Sequence, residues 1–346
     1  MVERAVKKRV TQRHLAEQLG ISTATVSLAL RGSPEIADAT RIAVREAMDE
    51  AGYVYNAAAA SLRTGLSRIV GVSFHDIIHP FFSEMLVAIE DRLSVGGRVL
   101  FINHHRDEPD RLDRFMTSLR THRADGLIVS PPLGCKPELL EPLRTSGSAI
   151  VFVSRYLRDF DADFIGNADI AGMKMAARHL LSLGHRHIVM LGGRPGTTSC
   201  DNRLEGFRRA ILDAGLEWRD DMFFPGAANR FSGHALVQEA LQLTSRPTAI
   251  VCFNDLVAFG AINGLRAVGL RPGLDAAVVG IDGTEEARIS TPALTTVSNH
   301  PEVIGRRAAE LLLERLENPS APYRAIEIEP ELTIRDSCGG KPRHFG

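Results

Sequence analysis

The segment LAEQLGISTATVSLAL, residues 15–30, decides how the amino-terminal part of the chain is read. Thr11 can cap a helix that runs to Leu19, and Gly20 permits the turn that ends it. Ser22 can cap a second helix, with Val26 and Leu30 four apart on one face. Ala16 is small where the two helices must approach closely, and Ile21 and Val26 supply an inner face. This is helix-turn-helix form. Its second helix is expected to present Thr23, Ala24, Ser27 and Leu28 near a groove-facing amino-terminal end, where hydroxyls and the helix terminus suit phosphate oxygens. Pro34 breaks this helix. A third is expected over 38–51, with Ile42, Val44, Ala47 and Met48 as its apolar stripe and Gly52 as its stop. The Ala-rich stretch YVYNAAAASLRTGLS, residues 53–67, follows between turn residues.

Charge is distributed to match. The whole chain of 346 residues has a formal net charge of −1, yet residues 1–31 hold six Lys/Arg against Glu3 and Glu17. Residues 1–68 hold ten basic and seven acidic side chains, so the remainder carries −4. A basic helical head on a mildly acidic body is what a polyanion-binding module looks like, although a solvated tail would share that charge.

After residue 68 the pattern changes. Apolar runs of strand length at 69–74, 98–102, 126–129, 149–153, 188–192, 249–253 and 277–281 alternate with helical stretches. Those stretches lie near 81–95, 109–122, 136–146, 170–183, 203–214, 232–243, 256–268 and 301–316. Near-continuous apolar strands joined by helices imply parallel sheets covered on both faces, and the repetition is long enough for two. The expected fold class is therefore α/β: a helical head plus a two-lobed body of doubly wound parallel sheets. Cys135, Cys200, Cys252 and Cys338 lie too far apart for a zinc ribbon, and neither a signal peptide nor a run of about 20 apolar residues is present. The expectation is a cytoplasmic protein without a membrane partner. His104–His105 and His185/His187 lack metal-ligand spacing and read as surface or capping residues. DFDADF (159–164) lacks the glycine and closing glutamate of a calcium loop, and GGRPG (192–196) lacks dinucleotide spacing and reads as a loop. No catalytic set, metal site or cofactor is expected.

The ordered string from Val10 to Gly65 resembles the LacI/GalR family of bacterial transcription regulators. The matching features are V-T at the start, L-A-x-x-x-G-I-S-x-x-T-V-S, T-R-x-x-V in the third helix, and GY-x-x-N-x-x-A-x-x-L-R-T-G at its end. The resemblance implies DNA contacts from Thr11, Ser22, Thr23, Ala24, Thr25, Ser27, Leu28, Arg31, Asn56 and Leu62. It also implies a hinge helix that folds on operator binding and wedges Leu62 into the minor groove. The physics fits, since Ala57 to Ala60 favour a helix too short to stand alone. Many relatives have Arg where this chain has Leu28, Pro where it has Tyr55, and Arg where it has Ala60. An apolar Leu28 suits a thymine methyl rather than a guanine.

IIHPFFSEML (77–86), LLSLGHRHI (180–188), NRLEGF (202–207), AIVCFNDLVAFGAINGLRAVGL (249–270), AAVVGIDG (276–283) and TPALTTV (291–297) extend the resemblance over the body. That body is similar to periplasmic sugar-binding proteins, with a ligand cleft between two lobes. The implied organisation is a head at 1–55, a hinge helix and linker at 56–68, an effector-binding domain at 69–337 and a tail at 338–346. Its lobes would span approximately 69–166 with 299–327, and 167–298 with 328–337. Ligands of open α/β sheets bind beyond the carboxyl ends of strands. The candidate effector residues are therefore Phe81, Phe82, Arg155, Asp169, Arg203, Asn254 and Asp282, each of which could instead be a loop cap or an interlobe ion pair. Asp255 reads as the cap of the next helix, and Asp169 stands where relatives often carry Asp-Asn.

The expected function is a sequence-specific repressor that binds a pseudo-palindromic operator as a homodimer and responds to a sugar or sugar derivative. A purine- or nucleoside-responsive regulator is the alternative within this class. A solute-binding protein without a DNA role and an α/β enzyme remain as other classes. The basic head and missing export signal argue against the first, and the missing catalytic set argues against the second.

Overall fold

The structure is a computed structural model that describes residues 10–30, 33–53 and 66–339. The chain divides into two compact units, Met1–Leu66 and Ser67–Gly346. Within the first, helices α1 (Gln12–Leu19), α2 (Thr23–Leu30) and α3 (Asp38–Ala51) pack around Leu15, Ala16, Val26, Ala29, Val44 and Ala47. Gly20 and Gly52 end α1 and α3 in the left-handed conformation that favours glycine, with φ of 64° and 60°.

The body is built on two six-stranded sheets. Strands β1 (Ile69–Phe74), β2 (Val99–His104), β3 (Gly126–Val129), β4 (Ala149–Val153) and β5 (Asp163–Asn167) form the first, with helices α4 (Pro80–Ser94), α5 (Pro109–Thr121) and α6 (Glu141–Thr145) between them. The chain then enters the second lobe. There α7 (Asp169–Ser182), β6 (Ile188–Leu191), α8 (Thr198–Asp213), β7 (Phe223–Phe224), α9 (Arg230–Ala240), β8 (Ala249–Cys252), α10 (Asp255–Ala267), β9 (Ala277–Asp282), α11 (Glu286–Ile289) and β10 (Thr295–Ser298) follow in order. Helix α12 (Pro301–Glu317) and β11 (Ala325–Ile328) return to the first lobe, and β12 (Glu331–Thr333) closes the second. The orders are β11-β5-β4-β3-β1-β2 and β12-β10-β9-β8-β6-β7. All pairings are parallel except β10 with β12. The chain therefore crosses between lobes three times. β5 and β11 carry the first lobe through Asn167 and Ile328, one residue beyond the breaks expected from sequence.

Each sheet is buried on both faces, as parallel sheets require. In the first lobe Val70, Val72, Val151 and Ile165 pack under α4 and α12, while Leu127, Val129, Ile150 and Phe152 pack under α5 and α6. The helix expected over 136–146 is instead a 3-10 turn, Pro137–Leu139, followed by the short α6. Pro142, which has no N–H to give, interrupts continuous helical bonding there. Helix α8 begins at Thr198, five residues before the expected start, because Thr197 caps it.

Helices α9 and α10 approach closely through glycine. A Cβ on Gly260 would lie 2.1 Å from the Arg230 carbonyl oxygen. Helix propensity alone would make Gly260→Ala stabilising by about 1 kcal/mol. Backbone overlap reverses the sign, and a net loss of about 1–3 kcal/mol is expected, read as a lower midpoint in denaturant titration of the full chain.

Candidate functional site

In the head, Ser22 Oγ accepts from the Thr25 N–H at 3.0 Å and so caps α2. The Thr11 N–H donates to His14 Nδ1 at 3.3 Å. Thr11, Ser22, Thr23 and Ala24 are exposed, and Thr25 and Leu28 are half-buried. Ser27 departs from its expected groove-facing place: only 3 % of its surface is exposed. Helix α2 packs against both α1 and α3, and its buried arc is wide enough to take in the neighbour of Val26. Arg31, Asn56, Leu62 and the hinge stretch Ala57–Ala60 lie outside the described residues.

The body holds a cleft of about 290 Å³ between its lobes, at the carboxyl ends of the strands. The loop after β1 brings His75 and His79, and the start of α4 brings Phe81 and Phe82. The loops after β2 and β4 bring Asp107 and Arg155. From the second lobe come Arg194 after β6, Arg203 on α8, Phe253 and Asn254 after β8, and Asp282 at the end of β9. Of the residues expected from sequence, Phe81, Phe82, Arg155, Arg203, Asn254 and Asp282 line this one cavity. Asp169 does not. It lies behind Arg203, whose Nε donates to Asp169 Oδ1 at 2.7 Å.

Arg203 is 4 % exposed and anchored on several sides. Its Nη1 donates to the Phe253 carbonyl oxygen, and its guanidinium carbon lies 4.5 Å from the centre of the Phe253 ring. Burial pushes the Asp282 carboxyl well above the ordinary carboxylate range, and Arg203 opposes that shift. Asn299 Nδ2 donates to Asp282 Oδ1 at 3.2 Å.

Asn254 is the cap of α10, its Oδ1 accepting from the Val257 N–H at 2.9 Å. The cap expected at Asp255 is therefore one residue earlier. Asp255 is instead fully buried and accepts from Thr284 N–H, Thr284 Oγ1 and Thr296 Oγ1. Asn254 Nδ2 points across the cleft to His79 Nε2, 2.8 Å away. That contact is a hydrogen bond between the lobes, with the Asn254 amide donating and the imidazole nitrogen accepting. The Phe81 N–H lies 3.2 Å from His79 Nδ1, and Asp282 Oδ2 lies 3.5 Å from the imidazole.

His79, His75, Asp107 and Arg194 were missed as site residues. Two signals could have found them: His79 stands in the quoted IIHPFFSEML, and Arg194 sits in the loop GGRPG directly after a strand. His105, expected at the surface or as a cap, is fully buried, with Nε2 2.9 Å from the Ser130 carbonyl oxygen, while its Nδ1 accepts from the Asp107 N–H at 3.2 Å as a cap does. Among the described residues no group of three or more His, Cys, Asp or Glu could hold a metal ion, and no helix is long and apolar enough to cross a membrane.

A helix-turn-helix unit and a two-lobed body with a polar cleft together define a ligand-binding DNA-binding regulator. The family model for bacterial regulatory proteins of the lacI family matches residues 13–56, and that for a periplasmic binding protein-like domain matches 177–338. The HTH-type transcriptional repressor PurR of Mannheimia succiniciproducens is 30 % identical over 332 residues, covering 94 % of this chain and 98 % of the relative. PurR of Aliivibrio salmonicida is 31 % identical over 333 residues, with the same two coverages. Among solved structures, the lac repressor dimer bound to operator and the anti-inducer ONPF superposes with a TM-score of 0.83 at 25 % identity, covering 95 % of this chain and 99 % of that one. A CelR–cellobiose complex gives 0.73 at 28 % identity, covering 95 % and 100 %. The chain belongs to the LacI family of bacterial DNA-binding transcriptional regulators.

Two buried histidines set a pH dependence. Burial pushes His79 and His105 down to about 4 from the ordinary 6.5. A lowered folded value means that the unfolded chain takes up protons first. Stability is therefore full above about pH 6.5 and is lost as pH falls toward 4, by up to ~3 kcal/mol per imidazole. Urea titrations between pH 7 and 4 should show this decline, and His79→Gln should flatten it. A slope unchanged by the substitution would mean that His79 charges freely in the folded body.

Proposed function

We propose that this repressor binds a pseudo-palindromic operator as a homodimer, and that a small polar effector in the cleft sets its operator affinity. The observation that supports this most is the convergence of Arg203, Asn254, Asp282, Phe81 and Phe82 from two lobes onto one cavity. Arg203 and Asn254 supply donors and Asp282 accepts, while the phenylalanines offer a flat apolar wall. That chemistry fits a hydroxyl-rich molecule, and the cellobiose complex of a 28 % identical relative favours a sugar or sugar derivative.

The effector acts by population shift. It favours whichever lobe arrangement it binds more tightly, and hinge spacing in the dimer follows from that arrangement. In the head, Thr11, Ser22, Thr23, Ala24, Thr25, Leu28, Arg31 and Asn56 are assigned to the DNA, with Leu62 as the wedge at the centre of the site. The same reading makes the chain a cytoplasmic regulator with no catalytic role and no bound cofactor.

The test begins with selection of a binding site from random duplexes. The full chain should yield a two-fold symmetric site, and the fragment 69–346 should not bind it in a gel shift. Leu62→Ala should weaken operator binding by about 1–3 kcal/mol with little change on scrambled DNA, because phosphate neutralisation is untouched. Asp282→Ala should blunt the effector response while leaving effector-free operator binding in place. Tight operator binding by the fragment would refute the division of labour.

A further inference from the structure

The charged groups of the cleft fall into two sets on either side of Phe82, whose ring centre lies 4.6 Å from that of His75 and 6.1 Å from that of His79. On the His79 side, Arg203 meets Asp282 and, behind it, Asp169. On the His75 side the balance is reversed. Arg106, Arg155 and Arg194 line the cavity around the Asp107 carboxylate, and Asp76, next to His75 in the chain, is the other first-lobe carboxylate in the lining. Arg155 is 5 % exposed, and its Nη1 donates to Asp107 Oδ1 at 2.6 Å. Its Nη2 lies 3.4 Å from His75 Nε2. Arg194 reaches across from the second lobe to 3.8 Å from Asp107 Oδ2. Arg106 makes no ion pair among the described residues.

Even with Asp76 counted, three guanidiniums face two carboxylates, so this end of the cavity carries cations in excess of its fixed anions. His75 adds no charge, since burial and the Arg155 guanidinium push it well below its ordinary value. The backbone is also held at a cost here. Arg106, Asp107 and Ser154 adopt left-handed φ angles of 54°, 59° and 61° without being glycine. A structural Arg–Asp pair would require neither the second and third guanidiniums nor this bent backbone.

We propose that this end seats an oxyanion head of the effector, a carboxylate or a phosphate, while hydroxyl groups of the same molecule meet Asn254 and Asp282. The ligand class is thus a sugar acid or a phosphorylated sugar. This rests on the reading of the cleft as the effector site. Arg155 stands on one lobe and Arg194 on the other. An anion held by both binds the closed arrangement more tightly than the open one, which is what an effector needs in order to switch the protein. Planar guanidiniums suit both carboxylate and phosphate geometry.

The test is a thermal-shift and calorimetric titration of the full chain at constant ionic strength. The probes are D-gluconate, D-glucose 6-phosphate, inorganic phosphate, D-glucose and hypoxanthine. The expected result is a saturable rise in melting temperature with at least one of the three anions and none with glucose or hypoxanthine. Gluconate against glucose 6-phosphate separates a carboxylate head from a phosphate. Arg155→Gln and the more exposed Arg194→Gln should each weaken the responding anion by roughly tenfold or more. Because Arg194 is half-exposed, that variant should melt like the parent without ligand. An anion response that persists unchanged in Arg194→Gln overturns the proposal. A response to glucose or hypoxanthine alone also overturns it, but leaves the cleft as an effector site. Silence with every probe overturns the anionic head and the cleft reading together.

Discussion

Arg203 is 4 % exposed at the wall of the cleft, and half of the cleft is arranged to keep it charged. A guanidinium in a low-dielectric interior is costly unless it is paired and hydrogen-bonded. Here Asp169 at the start of α7 takes Nε, the Phe253 carbonyl at the end of β8 takes Nη1, and the Phe253 ring covers the planar face. These contacts join α7, α8 and the β8–α10 loop at one point, and Asp282 at the end of β9 is held in the same field. Removing Asp169 would strand a buried cation, so the pair acts as a fixed part of the scaffold. That is why Asp169, although beside the site, has no surface in it.

The first lobe meets this fixed half through few direct bonds. The Tyr156 N–H donates to Thr198 Oγ1 at 3.2 Å, and Arg158 lies 3.4 Å from Asp201. Deeper in, Asn254 Nδ2 donates to His79 Nε2 at 2.8 Å, while Arg194 stands 3.8 Å from Asp107, too far for a good hydrogen bond. Many strong bonds hold each lobe internally, while few and mostly longer ones hold lobe to lobe. A body with this gradation, joined by three chain crossings, has the components of a two-state hinge that a ligand can bias.

The sequence made the head legible because its signals are local: Gly20 and Gly52 as stops, Ser22 as cap, Pro34 as break. It made most of the central strands legible because they are apolar throughout. It failed where burial is polar. Strand β5, DFIGN, has no apolar run, yet every residue in it is buried. Asp163 is tolerated at 0 % exposure because Arg315 Nε and the Arg324 N–H donate to it, partners roughly 150 and 160 residues away. Strand β10, TTVS, is hidden for the same reason, since Thr295 and Thr296 bond to the Arg335–Ser337 segment and to Asp255. Ser27 was misplaced because one helix cannot reveal how many neighbours will cover it. Arg155, Asn254 and Asp282, at the ends of apolar strands, were legible; His75 and Arg194 also follow such strands but were passed over, and the roles of His79 and Asp107 depend on partners distant in sequence.

The backbone states where the fold yields to the site. Among the described residues, seven non-glycine positions have positive φ, and four of them, Arg106, Asp107, Ser154 and Asp282, line the cleft. Each such conformation costs of order 1 kcal/mol or more for a residue bearing a Cβ, and glycine would relieve it. Glycine is used freely elsewhere, at the ends of α1 and α3, where only the turn matters. In the cleft the side chain is needed as well as the turn, so charged and hydroxyl-bearing residues occupy positions where glycine would be easier. Stability in this body resides in the parallel sheets and their helices. The loops at their carboxyl ends give up some of it to aim arginine, aspartate and serine into one cavity.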